Sequence, residues 1–137
     1  MNLVIDANIL FALLIRKGKT EDIFFNDTIK LYAPEFMLDE FEKYKDYIKE
    51  KTNRTDDEFD RMLSILRKKI ELIPQRQTEK LMERAREICP DENDGDYFAV
   101  ALELNCAIWS NDKKLKDQKS ISVISTHELL QNLEFKY

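Results

Sequence analysis

Four acidic side chains are placed where a folded chain could bring them together: Asp6, Glu40, Asp94 and Asp112. Asp6 and Asp112 each follow a short apolar run that is typical of a buried strand. Carboxylates that share a site repel one another unless protons or cations intervene. Oxygen ligands without a nearby His or Cys are typical of sites for Mg²⁺ or Mn²⁺ and argue against zinc. Such an ion can activate water for attack on a phosphodiester.

Helical periodicity assigns the other two acids. In its predicted helix Glu40 lies within the apolar arc, whereas Asp39 and Glu42 lie on the far side. Asp94 likewise shares the apolar arc of its helix, and Asp96 lies opposite. A charged side chain on a buried face is normally paired or ligating, so both acids are expected to face inward. The apolar arc around the first of them comprises Phe36, Met37, Phe41, Tyr44, Tyr47 and Ile48.

Three of these acids also have a simpler alternative role. Asp6 and Asp112 could cap the helix that follows each of them, as Asp often does. Glu40 could pair with an arginine or lysine, or lie at the rim of the buried face with its carboxylate in water. These alternatives compete with a role in binding a metal ion.

The third acidic position has neighbouring acids as alternatives. Asp94 could serve as an N-cap at the start of its helix, although Asn93 could cap in its place. An error of two or three residues would exchange Asp94 with Asp96 or Asp91. Helical periodicity favours Asp94.

Composition bounds the class of protein. The 137 residues fit a single domain spanning 1–137. With 43% hydrophobic and 36% charged residues, the chain is expected to be compact and rich in helix. The net charge of -5 argues against a uniformly basic surface for nucleic acid. The lack of a leader or membrane-spanning run, and two cysteines outside any CxxC motif, predict a cytoplasmic protein with no membrane partner.

The elements that must position these acids alternate between strands and helices. Short apolar strands are predicted at residues 3–5, 29–33, 70–73, 107–109 and 121–124. A long helix from Pro34 to about Lys51 is expected to form a hairpin with a helix that the Thr55–Glu58 capping box begins. Such alternation predicts a parallel sheet covered by helices on both faces. Ligands of these sheets bind at the carboxyl ends of the strands.

At these residues the chain resembles the PIN-domain family of metal-dependent ribonucleases, which includes the VapC-type toxins of toxin–antitoxin pairs. The family's first acid follows strand one in a D-x-N/S/T pattern, matched by Asp6-Ala7-Asn8. Its second is a Glu early in a helix, matched by Glu40, and its third opens a helix, matched by Asp94 through Ala101. Its fourth follows strand four in a T/S-x-D pattern, matched by Ser110-Asn111-Asp112. The resemblance spans essentially the whole chain.

The resemblance implies an α/β fold, a three-layer α/β/α sandwich around a parallel, roughly five-stranded sheet. It also implies an endoribonuclease that uses Mg²⁺ or Mn²⁺ as its cofactor and RNA as its substrate. The residues it assigns to both catalysis and metal binding are Asp6, Glu40, Asp94 and Asp112.

Supporting residues and partners follow from the same resemblance. Asn8 is expected to orient a carboxylate, unless it caps a helix, and Ser110 is expected to support the fourth acid. A toxin would have an antitoxin protein as its partner, whereas a stand-alone processing nuclease would not. The apolar residues of the hairpin between Phe36 and Leu66, together with the habit of the family's toxins, imply a homodimer.

Contacts with phosphate would have to come from local cations, because the chain is acidic overall. Each candidate could equally be a solvated surface residue. His127 is given no catalytic role, and Trp109 and the tyrosines are expected to be core or groove residues rather than a stacking platform. The candidate cations are Arg16, Lys17, Lys19, Lys113, Lys114, Lys116 and Lys119.

Other functions fit the sequence less well. A phosphoacceptor receiver domain would need paired acids after strand one and a lysine ending strand five, where this chain has a lone Asp6 and Ser125. A haloacid-dehalogenase-like phosphatase would need DxD at Asp6-Ala7-Asn8. A non-catalytic PIN-like module that binds RNA or protein remains the alternative, and the presence of all four acids argues against it.

Overall fold

The computed structural model describes residues 1–15 and 18–134 of the chain. A parallel sheet of five strands forms its centre, as the alternation of elements predicted. The strands are β1 (Asn2–Ile5), β2 (Lys30–Pro34), β3 (Ile70–Ile73), β4 (Ala107–Trp109) and β5 (Val123–Ile124). Their spatial order is β3-β2-β1-β4-β5, and every neighbouring pair is parallel.

Helices follow the strands and cover the sheet, which confirms the predicted α/β/α sandwich. Three consecutive residues of β1, Leu3, Val4 and Ile5, are fully buried, because both faces of a parallel sheet are covered. Among the described residues the α-helices are α1 (Ala7–Ile15), α2 (Lys19–Phe24), α3 (Met37–Lys43), α4 (Lys45–Thr52), α5 (Asp56–Lys69), α6 (Gln75–Thr78), α7 (Met82–Ile88), α8 (Gly95–Leu104) and α9 (Thr126–Glu134). In the part of the chain that the structure describes, no helix has the length and apolar character to span a membrane.

The strand order reverses beside β1. The chain builds outward from β1 through β2 to β3, then returns to add β4 and β5 on the other side. Ligands of open α/β sheets bind at such a point, outside the carboxyl ends of the strands. Here the reversal brings the end of β1 next to the end of β4, with Ile5 paired to Trp109. The residues that follow these two strands therefore lie side by side.

The prediction that Pro34 opens a long helix was wrong. Pro34 is the last residue of β2 and pairs with Ile73 of β3. The next residue, Glu35, donates its N–H to the Ile73 carbonyl, so the nitrogen of Pro34 faces the other side, towards β1. The pairing of β1 with β2 has already ended at Tyr32. The ladder therefore needs no donor at Pro34, and a proline is tolerated there.

The expected long helix is in fact two helices that meet at Tyr44. The backbone there has φ -98° and ψ 19°, outside regular helical geometry, and it separates α3 from α4. Phe41 and Ile48 are buried as predicted, but Tyr44 and Tyr47 are 47% and 55% exposed. Placing both tyrosines in the buried arc was therefore wrong. A buried tyrosine needs a hydrogen-bond partner for its hydroxyl, whereas a buried isoleucine such as Ile48 needs none.

The predicted hairpin forms between α4 and α5. Asn53, in the left-handed conformation at φ 53°, ends α4, and the Thr55–Glu58 capping box begins α5 as predicted. The Glu58 N–H donates to Thr55 Oγ1 and the Thr55 N–H donates to Glu58 Oε1, both at 3.2 Å. Side chains of α5 bury one face against the core, led by Phe59 and Leu66. The capping box thus fixes where the second arm of the hairpin starts.

Replacing Thr55 with Ala should lower the free energy of unfolding by about 1 kcal/mol, because one backbone N–H at the start of α5 loses its acceptor. The melting temperature should fall by about 4 °C. Chemical denaturation at constant m-value measures the change. Thr52→Ala is the matched control, since Thr52 Oγ1 only donates back to the Ile48 carbonyl within α4. Equal losses in the two variants would contradict the capping role.

Candidate active site

A chain of hydrogen bonds joins the ends of β1 and β4. The Asp6 N–H donates to the Trp109 carbonyl at 3.1 Å, continuing the ladder past the strand. The Ser110 hydroxyl donates to Asp6 Oδ2 at 2.7 Å, and its oxygen accepts from the Asp112 N–H at 3.1 Å. Asp6 is 5% exposed and Ser110 is 1% exposed. One buried hydroxyl therefore orients the Asp6 carboxylate and fixes the backbone of Asp112 beside it.

The environment of Asp6 raises the pKa of its carboxyl above the ordinary value. Burial is the largest cause, and the negative charge of Asp112 adds to it. The Ser110 hydroxyl and the backbone N–H groups of Asn8 and Ala7 act in the opposite direction, because they stabilise the charged form. Burial thus disfavours the negative charge of Asp6, and several hydrogen-bond donors stabilise it.

Asp94 approaches the same place from the start of α8. The pKa of its carboxyl is raised from 3.8 to about 6, mainly by burial and then, in decreasing order, by the charges of Asp6, Asp91 and Asp112. Lys114 opposes the shift. Three carboxylates, from the ends of two strands and the start of one helix, therefore lie within electrostatic range of one another.

Capping roles distinguish the acids of this region. Asp91 Oδ1 accepts from the Asn93 N–H at 3.1 Å and caps a short 3-10 turn, while the Asp94 side chain makes no capping hydrogen bond to α8. For Asp112 the capping alternative does occur, because its Oδ1 accepts from the Lys114 N–H at 3.0 Å. That bond uses one of the two Asp112 oxygens. Neither carboxylate oxygen of Asp94 accepts a capping hydrogen bond at the start of α8.

Glu40 lies at the rim of the site rather than in a buried arc. The residues of α3 that are buried are Met37, Leu38 and Phe41, and Glu40 is exposed. The expectation that it faces inward was therefore wrong. The burial of Leu38 moves the centre of the apolar arc away from Glu40, which leaves its carboxylate in water. Its charge nevertheless acts on Tyr97 of α8, so it borders the site.

Tyr97 is a site residue that the sequence interpretation placed only in the apolar arc of its helix. Its side chain is 5% exposed, and burial raises the pKa of its phenol. It lies one helical turn after Asp94, a spacing that could have identified it. The phenol therefore stays protonated within electrostatic range of the acids. The carboxylates that further raise its pKa are those of Asp6, Glu40, Asp94 and Asp96.

The cations after β4 are not equivalent. Lys114 acts on Asp94, and Lys113 and Lys116 line a cavity of about 130 Å³ together with Asp112. Lys116 forms a salt bridge with Glu128 of α9. Its charge is thus already balanced, which weakens its candidacy as a phosphate contact. Lys113 and Lys114 are the better placed of the three.

The remaining predicted residues lie farther from these contacts. Asn8 presents its backbone N–H to Asp6, but its side chain is exposed at the start of α1. Within residues 1–15 and 18–134, its amide makes none of the expected hydrogen bonds to a carboxylate. Lys19 and Lys119 are exposed, and Arg16 and Lys17 lie outside the described residues.

The fit of this site to a metal ion depends on its donors. Among the side chains that the structure describes, no group of three or more His, Cys, Asp or Glu forms a ready-made metal cage. Asp6, Asp94 and Asp112 nevertheless lie close enough for the charge of Asp112 to raise the pKa of both other carboxyls. Carboxylates approach to ligand distance only when a proton or cation offsets their repulsion. An oxygen-only donor set of this kind fits Mg²⁺ or Mn²⁺.

The raised pKa of Asp94 makes the stability of the metal-free protein depend on pH. Because the folded pKa of about 6 exceeds the unfolded value of 3.8, its contribution favours folding below pH 3.8 and is lost as pH rises through about 6. In chelator, Asp94→Asn should therefore stabilise the protein at pH 7 relative to wild type and have less effect at pH 5. Melting temperatures at the two pH values measure this. Glu92→Gln, an exposed acid of the same turn, is the control.

If Asp94→Asn and Glu92→Gln respond to pH in the same way, the carboxylates are not coupled as described. The expected difference has a definite sign, because Asn cannot ionise and so removes the cost of a partly buried charge near two others.

Comparison with known families agrees with this geometry. The sequence profile of the PIN domain matches residues 4–134. A comparison with curated proteins finds no significant match. PIN domains are in general nucleases that act on RNA, and they usually use divalent metals. Since the match covers nearly the whole chain, and the parallel sheet is the one expected for the family, this protein belongs to the PIN domain family.

Proposed function

We propose that this protein is a metal-dependent endoribonuclease that hydrolyses RNA phosphodiester bonds with Mg²⁺ or Mn²⁺. The observation that carries the proposal is the convergence of Asp6, Asp94 and Asp112 at the reversal of strand order beside β1. These acids and Glu40 are the residues that would hold the ion. When bound, the ion would activate a water molecule and offset negative charge on the phosphate.

The chain's own residues would contribute orientation and the charge that holds the ion. Ser110 holds the Asp6 carboxylate in one orientation through its 2.7 Å hydrogen bond, so little reorganisation is needed during the reaction. Asp94, whose carboxyl has a pKa of about 6 in the metal-free protein, would lose its proton when the ion binds and would hold the ion in its charged form. Tyr97 stays neutral near these carboxylates and therefore adds no negative charge to the site.

The RNA backbone would approach from the side of Lys113 and Lys114. Both follow Asp112, and Lys114 already lies close enough to lower the pKa of Asp94. In a chain of net charge -5, local cations of this kind must supply the attraction for phosphate. They would bring the scissile phosphate to the carboxylates rather than hold the whole RNA.

The biological setting that we propose is the cytoplasmic toxin of a VapC-type pair, with an antitoxin protein as its partner. A stand-alone processing nuclease would have the same site but no small antitoxin gene beside its own.

We also propose a homodimer through the hairpin, since exposed Ile65 and half-buried Met62 of α5 line an apolar groove of about 310 Å³ with Phe25. The alternative of a non-catalytic binding module is disfavoured, because all four acids are present.

Cleavage of single-stranded RNA should require Mg²⁺ or Mn²⁺ and should be abolished in Asp6→Asn. The folded state of this variant in chelator should be as stable as wild type or slightly more so, because a buried charge is removed while the Ser110 hydroxyl keeps an acceptor. Gel-based cleavage and melting temperature measure the two effects. Activity that persists in chelator would contradict the metal requirement, and a large drop in melting temperature would indicate a purely structural Asp6.

Glu40→Gln should reduce both Mn²⁺ affinity and cleavage by at least tenfold, about 1.4 kcal/mol, since it removes a charge beside the site. The matched controls on the same helix are Asp39→Asn and Glu42→Gln. Glu42 pairs with Arg67 at 2.9 Å on the surface, an interaction worth little. Calorimetric titration with Mn²⁺ compares the variants without knowledge of the natural RNA. An effect of either control as large as that of Glu40→Gln would show that the acid on this helix is misassigned.

A further inference from the structure

Two neighbouring tyrosines lie exposed on the helical segment that continues from Glu40. Tyr44 and Tyr47, at the junction of α3 and α4, are 47% and 55% exposed, although aromatic rings are normally among the more buried side chains. Three other side chains share this exposed surface. We name it the tyrosine face, and it consists of Glu40, Lys43, Tyr44, Tyr47 and Lys51.

The tyrosine face begins at an acid of the site. The Tyr44 N–H donates to the Glu40 carbonyl, and the Ile48 N–H donates to the Tyr44 carbonyl, at 3.1 and 3.0 Å. Helical spacing therefore continues through the break, and Tyr44 lies one turn beyond Glu40. Along the helix axis the two tyrosines are about 6 and 10 Å from Glu40. Stacked nucleotides advance by about 3.4 Å, so both rings lie within about three nucleotides of Glu40.

Each ring of the tyrosine face has a cation over it. The Lys43 Nζ lies 5.9 Å from the centroid of the Tyr44 ring, and the Lys51 Nζ lies 5.8 Å from that of Tyr47. A ring with a cation at one side and solvent beside it offers a flat surface for stacking together with a nearby positive charge. Aromatic rings interleaved with lysines are the pattern by which proteins bind single-stranded nucleic acid.

We propose that the tyrosine face is the binding path for single-stranded RNA on one side of the cleavage site. Unpaired bases stack on Tyr44 and Tyr47, and Lys43 and Lys51 neutralise the neighbouring phosphates. This inference rests on the proposed nuclease function and assigns the surface that holds the unpaired strand. A duplex does not expose the faces of its bases to such rings.

Charge and area favour RNA over a second copy of the chain as the occupant. Two tyrosine side chains bury at most about 500 Å² in total, less than the ~800 Å² per partner of a stable protein interface. An identical partner would present one acid of its own tyrosine face, Glu40, to two lysines, whereas phosphates satisfy both lysines directly. Among the described residues, no lysine or arginine lies over an aromatic ring that lines the apolar groove at Ile65.

The test measures binding apart from cleavage. In the Asp6→Asn background with Mg²⁺, fluorescence anisotropy compares a labelled single-stranded RNA with the same strand in a duplex. Tyr44→Ala and Tyr47→Ala should each weaken single-strand binding about tenfold and leave duplex binding unchanged. Tyr44→Phe and Tyr47→Phe keep the ring and should bind like the parent. Ile15→Ala, at a residue 52% exposed on α1, controls for loss of exposed apolar surface.

The lysines have a separate readout. Lys43→Ala and Lys51→Ala should each reduce the slope of log affinity against log salt by about 0.7, the value for one released counterion on a single strand. An unchanged slope in both variants would overturn the assignment of these lysines to phosphates. Tyr→Phe variants should keep the full slope.

Several results would overturn the proposal. Parent-like single-strand affinity in both Tyr→Ala variants would do so, as would equal losses for single strand and duplex. If these variants instead lower the mass measured by light scattering without changing RNA affinity, the tyrosine face is a contact between copies. Failure of the nuclease function is distinguishable, because it shows as absent cleavage by wild type with Mg²⁺ or Mn²⁺, whatever the tyrosine variants bind.

Discussion

Repulsion among carboxylates at one edge of the sheet is the constraint on which the site depends. The parallel strands β1 and β4 end together, so Asp6 and Asp112 must lie near each other, and the start of α8 adds Asp94. Burial makes Asp6 and Asp94 harder to ionise, and the negative charge of Asp112 adds to the effect on both. A cation at this edge would relieve a cost that the fold otherwise bears. The repulsion among carboxylates that lowers the stability of the metal-free protein would thus also favour the binding of a metal ion.

The buried Ser110 hydroxyl holds this arrangement together. It donates to Asp6 and accepts from the backbone of Asp112, so it connects the first and fourth acids across two strands. The register between Ile5 and Trp109 determines that the serine reaches the aspartate. A shift of that register by one residue would turn the Ser110 side chain towards the other face of the sheet. The pairing of β1 with β4 therefore determines where Asp6 and Asp112 lie.

The sequence predicted the elements whose signals are local. Strand ends placed Asp6 and Asp112, and the capping box of Thr55 gave the start of α5, because periodicity and hydrogen-bonding side chains act over a few residues. The exposure of Glu40 was not predictable, since it depends on which residues of α3 the sheet buries. The break between α3 and α4 at Tyr44 likewise has no signal in the local sequence.

A crystal of the protein grown with Mn²⁺ tests the central claim most directly, because anomalous scattering locates the ion independently of activity. We expect an anomalous peak at the carboxyl ends of β1 and β4, in contact with the carboxylates of Asp6, Asp94 and Asp112. A well-diffracting crystal with saturating Mn²⁺ and no peak among these three side chains, or with its strongest peak elsewhere, would contradict the account.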